Sequence, residues 1–225
     1  MRDSTKIQAV TFDVGGTLIE PWPSVGHVYA EVAASNGISN LSHQELQSRF
    51  VAAFRRRTRP LHSADEWAEI VDATFAGLVT EPPSKTFFLQ LYERFAQPAA
   101  WRIYPDVEPT LAALAERGVK LGVVSNWDDR LRPLLDALGL ACRFDTIVVS
   151  SEIGVSKPAP GIFRKAAELL RTPPQAILHV GDSFEMDVEG ARAAGLQARQ
   201  IERTARPIRA GQIDTLLDLL SIVTV

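Results

Sequence analysis

The sequence predicts an α/β fold in which a doubly wound, mostly parallel sheet carries an inserted set of four helices. Three observations predict it. An apolar, β-branched run at 7–12 ends in Asp13 and is stopped by Gly15 and Gly16. From 24 to 95 the apolar residues recur only at helical spacing. Beyond 105, strand-like and helix-like stretches alternate, the pattern of a parallel sheet covered by helices. At 225 residues the chain is long for one compact domain and short for two full ones, so a core with a smaller insertion accommodates it. The pattern divides the chain into a Rossmann-like core, 1–20 with 98–225, and a helical insertion, 21–97.

After the first strand, Pro21 and Pro23 interrupt the pattern. Val25, Val28, Tyr29 and Val32 then share one helical face, as do Leu46, Phe50, Val51 and Phe54, and again Trp67, Ile70, Val71, Thr74, Phe75 and Leu78. A fourth helix is expected at 87–95. Breaks fall at Asn36-Gly37, Arg59-Pro60 and Glu81-Pro82-Pro83. Apolar faces of this kind bury against one another as a small bundle. In the core, helices are expected at 106–116, 131–138, 161–170 and 188–194, with Gly118, Gly139 and Gly195 as stops. Strands are expected at 120–124, 146–149, 176–180 and 198–201, and a last amphipathic helix at 213–222. No internal repeat or low-complexity tract interrupts this order.

Apolar residues make up 46% and charged residues 23% of the chain, the balance of a water-soluble globular protein. A net charge of −3 leaves no basic footprint for nucleic acid, and no apolar run approaches the roughly 20 residues that span a bilayer. The first residues, Met1 to Lys6, lack the apolar core of an export signal, so the reading is cytoplasmic. The one cysteine, Cys142, has no partner for a disulfide or metal motif, as expected in a reducing compartment, and is read as a small buried hydrophobe. The sequence allows a monomer or a homodimer.

Each core strand delivers polar residues to the same edge. Asp13 follows the first, Ser125-Asn126 the second, Ser156-Lys157-Pro158 comes after the third, and Gly181-Asp182-Ser183 follows the fourth, with Asp187 five residues past Asp182. Parallel strands point their carboxyl ends one way, so these groups converge although they span most of the chain. Singly, each has an ordinary explanation as a turn, a cap or a solvated lysine. Four in order after four strands favour a site.

These residues, Phe12-Asp13-Val14-Gly15-Gly16-Thr17-Leu18, Val124-Ser125-Asn126, Ser156-Lys157-Pro158 and Gly181-Asp182-Ser183 with Asp187, resemble the four ordered motifs of the haloacid dehalogenase-like hydrolase superfamily. The helical insertion lies where that family's C1-type cap lies. The resemblance implies a hydrolase acting on a small phosphorylated metabolite, with Asp13 as a nucleophile that forms an aspartyl-phosphate. It implies Mg²⁺ held by Asp13, the carbonyl of Gly15, Asp182 and Asp187, the last orienting a bound water or Lys157. It assigns phosphate binding to Ser125, Asn126, Lys157 and Thr17, and catalytic roles to Asp13, Ser125 and Lys157.

The pattern is broken at Gly15, where most phosphatases of the family carry a second aspartate, their general acid and base. A carbonyl serves the metal at that position, so metal binding is expected to survive and proton transfer to be lost. General acid–base catalysis contributes about 10²–10⁴-fold, so turnover of alkyl phosphates is expected to be slow. Aryl or acyl phosphates need protonation less, as does a substrate that brings its own acid. His27, Glu31 and His62 of the insertion are alternative proton donors. A non-catalytic binding or regulatory protein is the rival reading. A metal-free dehalogenase is disfavoured by the Gly181–Asp187 signature. A phosphonate hydrolase that forms a Schiff base has only Lys85 to draw on in the insertion, while Arg49, Arg55, Arg56 and Arg57 stay protonated. The run Arg55-Arg56-Arg57-Thr58-Arg59 is read as a solvated face at a helix end. Trp22, Trp67 and Trp101 are expected in packing and Trp127 in the wall of the site.

Overall fold

A computed structural model describes residues 6–57, 63–203 and 208–223. The chain divides into two compact units, 1–19 with 103–225, and 20–102. Strand β1 (Ala9–Phe12) is buried throughout, and β2 (Ile19–Pro21) leads out of the first unit. The second unit contains α1 (Val25–Ser35), α2 (His43–Arg56), α3 (Ala64–Phe75) and α4 (Phe88–Arg94). Strand β3 (Trp101–Ile103) pairs with β2 in a two-stranded sheet. The first unit then resumes with α5 (Val107–Glu116), β4 (Lys120–Ser125), α6 (Leu131–Ala137), β5 (Thr146–Val149), α7 (Ser150–Ile153), α8 (Pro160–Leu170) and β6 (Ile177–Gly181). It ends with α9 (Gly190–Ala193), β7 (Gln197–Ile201), β8 (Gln212–Ile213) and α10 (Leu219–Ile222).

The six-stranded sheet has the order β5-β4-β1-β6-β7-β8, and its pairings are parallel. Strands with helices on both faces must be apolar on both sides, which is why β1, β4 and β6 read as continuous runs rather than alternations. In register, Phe12 lies opposite Val123 on one side and Val180 on the other. Asp13, Ser125 and Asp182 therefore leave three neighbouring strands at nearly the same height.

The insertion has its own core. Tyr29 stacks on Phe75 at 5.6 Å between ring centres, and Phe75 meets Phe87 edge-on at 5.3 Å, both favoured aromatic geometries. Helix α1 starts at Ser24, whose hydroxyl accepts from the His27 N–H, and α3 starts with a reciprocal Ser63–Glu66 capping box. Trp67 and Trp101 pack against Phe54 and Phe95, as expected. Trp22 does not share that role; it is 43% exposed, with the Arg102 guanidinium 3.6 Å above its ring.

Two further expectations are corrected. Cys142 is exposed, because it sits in a 3₁₀ turn (Ala141–Arg143) off any apolar stripe. The helix expected at 213–222 is not continuous. Gln212 and Ile213 add an edge strand beside β7, and helical turns begin only at Leu216, where Thr215 caps them. Among the described residues, no helix is long and apolar enough to cross a membrane.

Gly26 marks the tightest approach inside the insertion. A Cβ there would stand 2.1 Å from the His43 carbonyl oxygen and 2.7 Å from the Gln47 nitrogen of α2. Gly26→Ala should therefore lower stability by about 1–3 kcal/mol by forcing α1 and α2 apart, measurable as a lower urea midpoint.

Candidate active site

Lys157 is the centre of the site. Its ammonium, 4% exposed, donates at 2.6 Å to Asp13 Oδ1 and at 2.6 Å to Asp187 Oδ1. Asp13 Oδ1 also accepts from the Ser125 hydroxyl at 3.1 Å. Asp187 Oδ1 also meets His179 Nε2 at 3.1 Å, and its Oδ2 accepts from the Ser183 N–H at 3.0 Å. Burial opposes the charge on Lys157, but the carboxylates of Asp13 and Asp187 outweigh it and keep the ammonium protonated well above the usual lysine range. Burial likewise opposes the charge on Asp187, yet Lys157 and His179 hold it well below the usual carboxylate range. At Asp13 burial dominates over the Lys157 charge and raises the carboxyl.

Asp13, Asp182 and Asp187 each place a carboxylate oxygen within 4.8 Å of the others. Three acids face one ammonium, so the cluster carries excess negative charge. Burial and then the charges of Asp13 and Asp187 push Asp182 up to about 7. A cation bound among the three acids would offset the two like-charge contributions to that shift. An all-oxygen donor set with surplus negative charge fits a hard divalent ion such as Mg²⁺.

Two glycines allow the cluster to close. Gly16 has φ +76°, and a Cβ there would lie 2.7 Å from Asp182 Oδ2. At Gly181 a Cβ would lie 2.1 Å from Asp187 Cγ. Downstream, Ser183 caps a π-helical turn, Phe184–Glu189, that returns Asp187 to the site. The helix expected at 188–194 is thus a π turn followed by the short α9, a distortion often found at functional sites.

The remaining expected residues are placed as follows. The Asn126 side chain is spent on the backbone of Lys157, donating to its carbonyl at 3.0 Å and accepting from its N–H at 2.7 Å. Asn126 therefore positions Lys157, and what it can offer a ligand is its backbone. Thr17 is fully buried, and its hydroxyl has no partner among the described residues. Gly15 lies beside Trp127: a Cβ on it would be 3.4 Å from the indole Cζ3. In the insertion, His27 is engaged by Ser24 at 2.8 Å and stacked on His43 at 3.8 Å, and Glu31 is exposed and 3.8 Å from Arg94. Arg55 and Arg56 are exposed, while Arg57 lies over the Phe54 ring. His62, Thr58 and Arg59 lie outside the described residues.

Two elements of the site had no motif to announce them. His179 is fully buried and bridges Thr11 Oγ1, at 2.9 Å, to Asp187. One residue before Val180-Gly181, it reads in sequence as another member of an apolar strand. The second element is Arg203, which donates to the Thr17 carbonyl and to Asp106 Oδ2, each at 2.6 Å, with its guanidinium 4.0 Å over Tyr104. Asp106 Oδ2 also accepts from the Leu216 N–H at 2.7 Å and the Thr215 hydroxyl at 3.0 Å. This clamp ties the turn after Asp13 to segments about 90 and 200 residues later, a link only the fold creates.

The chain matches the profile of haloacid dehalogenase-like hydrolases over residues 7–195. It is 34% identical over 209 residues to mouse (Mus musculus) haloacid dehalogenase-like hydrolase domain-containing protein 3, spanning 88% of this chain and 83% of that one. It is 36% identical over 114 residues to phosphoserine phosphatase of Thermus thermophilus, spanning 50% of this chain and 46% of that enzyme. Among solved structures, that of a phosphatase of the same family from Thermococcus onnurineus superposes with a TM-score of 0.68 at 29% identity, covering 96% of this chain and 98% of that one.

The clamp predicts an acid limb of stability. Burial alone would raise Asp106, but the hydrogen bonds from Arg203 and Leu216 hold its carboxyl below the usual range. Its contribution is therefore complete above the ordinary aspartate pKa of about 3.9 and is lost as the pH falls through the lower folded value. Asp106→Asn should cost about 1.5–3 kcal/mol at neutral pH. The variant should also lose less stability than the wild type between pH 5 and pH 3 in urea titrations.

Proposed function

The chain belongs to the haloacid dehalogenase-like hydrolases, and on that premise we propose that it is a Mg²⁺-assisted phosphatase of small phosphate monoesters. The observation that supports this most is the Asp13 carboxylate. One oxygen is held by Ser125 and Lys157, and the group stands within reach of two further acids. Attack is assigned to Asp13 Oδ2: it bonds to phosphorus, and the ester P–O bond breaks with its electron pair on the leaving oxygen. Water then attacks phosphorus, the P–Oδ2 bond breaks, and Asp13 is regenerated as carboxylate while dihydrogen phosphate keeps both protons of the water.

Lys157 stays an ammonium through this cycle, because Asp13 and Asp187 stabilise its charge; it holds the phosphoryl oxygens and does not act as a base. Ser125 orients Asp13 and donates to the transferring group. Asp13, Asp182 and the Gly15 carbonyl, with Asp187 behind them, would hold the Mg²⁺. When bound, the ion neutralises charge on the phosphoryl oxygens. Support for a phosphate ester also comes from the partial match to a phosphatase. Gly15 favours a second reading, a phosphate-binding protein without efficient turnover, because no acid follows the nucleophile.

Phosphate release from phenyl phosphate with Mg²⁺ decides between the two. Asp13→Asn is expected to abolish it, and equal residual rates in wild type and variant would exclude the aspartyl-phosphate. Gly15 has room for a Cβ, which meets only the indole, at an ordinary 3.4 Å. Gly15→Asp is therefore expected to raise turnover of alkyl phosphates by at least about tenfold, the lower part of what a general acid supplies; an unchanged rate would place the bottleneck elsewhere.

A further inference from the structure

Asp182 is the first residue beyond β6, and a side chain takes its carbonyl. The parallel register of β6 and β7 ends with Gly181 opposite Gln200. Gln200 Nε2 donates to the Asp182 carbonyl at 2.8 Å, a hydrogen bond that continues the ladder where the strand stops. The other end of the same amide is engaged as well. Gln200 Oε1 accepts from Gln212 Nε2 at 2.8 Å, and Gln212 Oε1 accepts in turn from the Arg209 N–H at 2.7 Å. Gln200 and Gln212 stand opposite each other where β7 pairs with β8, so their side chains meet directly.

The direction of this relay is fixed by its ends. An amide side chain can turn over and present oxygen in place of nitrogen unless its neighbours forbid it. Here the Arg209 N–H can only donate and the Asp182 carbonyl can only accept. Reversing Gln200 would set its oxygen against that carbonyl, and reversing Gln212 would set its nitrogen against that N–H. Two backbone groups of fixed polarity therefore orient both side chains, and successive bonds in such a chain strengthen one another. The acid held in this way sits among like charges: Asp182 places a carboxylate oxygen within 4.8 Å of those of Asp13 and Asp187, while Lys157 is bonded to the other two. Repulsion at that range pushes Asp182 out of the cluster. The site is ready for a cation only if the backbone beneath the carboxylate resists that push. The relay carries the resistance across β7 to the edge strand, so the departure of Gln212 from the expected helix has a consequence at the site.

We propose that Gln200 and Gln212 are positioning residues that hold Asp182 in place for a divalent cation, and that β8 serves the site through them. This rests on the assignment of Asp182 to Mg²⁺ in the phosphatase reading. Both glutamines act through the backbone of Asp182, Gln200 directly and Gln212 by fixing which end of the Gln200 amide faces it.

The test is a Mg²⁺ titration of the full chain, followed by amide NMR shifts and so independent of turnover, for wild type, Gln200→Leu, Gln212→Leu, the double variant and Gln197→Leu. Gln197 is the control, a glutamine of the same strand about 10 Å from Gln200 that donates to the Gln175 carbonyl instead. Gln200→Leu is expected to raise the Mg²⁺ dissociation constant about tenfold, the lower end of what losing a ligand's supporting partner costs. Gln212→Leu should raise it about threefold, since it removes a link one step further away. The double variant should be no weaker than Gln200→Leu, because Gln212 acts only through Gln200. Gln197→Leu should stay within about twofold of wild type. With phenyl phosphate, Gln200→Leu should need more Mg²⁺ but regain the wild-type rate at saturation, a split that a general loosening of the fold would not give. An unchanged Mg²⁺ constant in Gln200→Leu, an equal loss in Gln197→Leu, additive losses in the double variant, a rate deficit that persists at saturation, or a wild type that binds no Mg²⁺ would each overturn the relay. If Gln200→Leu does not fold, Gln212→Leu against Gln197→Leu decides. The phosphatase reading is judged separately by phosphate release in wild type and Asp13→Asn, and the NMR titration judges the relay whichever way that falls.

Discussion

The site depends on one ammonium shared between two buried carboxylates. Lys157 touches both Asp13 and Asp187 at 2.6 Å, and without it two buried charges would face each other uncompensated. The pairing sets the electrostatics of its neighbours: Asp187 is held ionised, Lys157 is held protonated, and Asp182 is left as the acid whose charge is least accommodated. A divalent cation completes such a set because it supplies the positive charge the lysine alone does not. Gly15, being neutral, leaves this balance intact.

That ion pair can form because backbone is brought unusually close to side chains. Glycine at 16 and 181 lets the carboxylates of Asp182 and Asp187 approach to distances that any Cβ would block. The π turn after Ser183 then re-aims Asp187 toward Lys157 and His179. The turn carrying Gly15 and Thr17 is held from outside by Arg203, itself fixed by Asp106, so the loop after Asp13 is tied to the segment that follows β7 as well as by its own local hydrogen bonds. Asn126 plays the same supporting part for Lys157, gripping its backbone on both the N–H and the carbonyl.

The helical unit is built on different physics. Its interior is a cluster of aromatic and aliphatic side chains, with Tyr29, Phe75 and Phe87 at the centre, and its first three helices begin at serine caps. It has apolar faces enough to be compact by itself.

What the sequence by itself determined is the order of elements and the identity of the chemical groups. Period-two and period-3.6 patterns, with glycine and proline stops, are local properties, and they placed β1, β4, β5, β6 and β7 and the four inserted helices. Parallel strands share a direction, so the acids and the lysine after them had to converge. Tertiary structure decided what those groups do to one another. Nothing local marks His179 as a polar bridge within an apolar strand, or Arg203 as the clamp on Thr17, since each gains its partner from far along the chain. The broken helix at the C-terminal end has the same cause: Gln212 and Ile213 leave the helical pattern because β7 offers an unpaired edge, and hydrogen bonding to that edge outweighs a local amphipathic period. Long-range pairing, and not propensity, settled these positions.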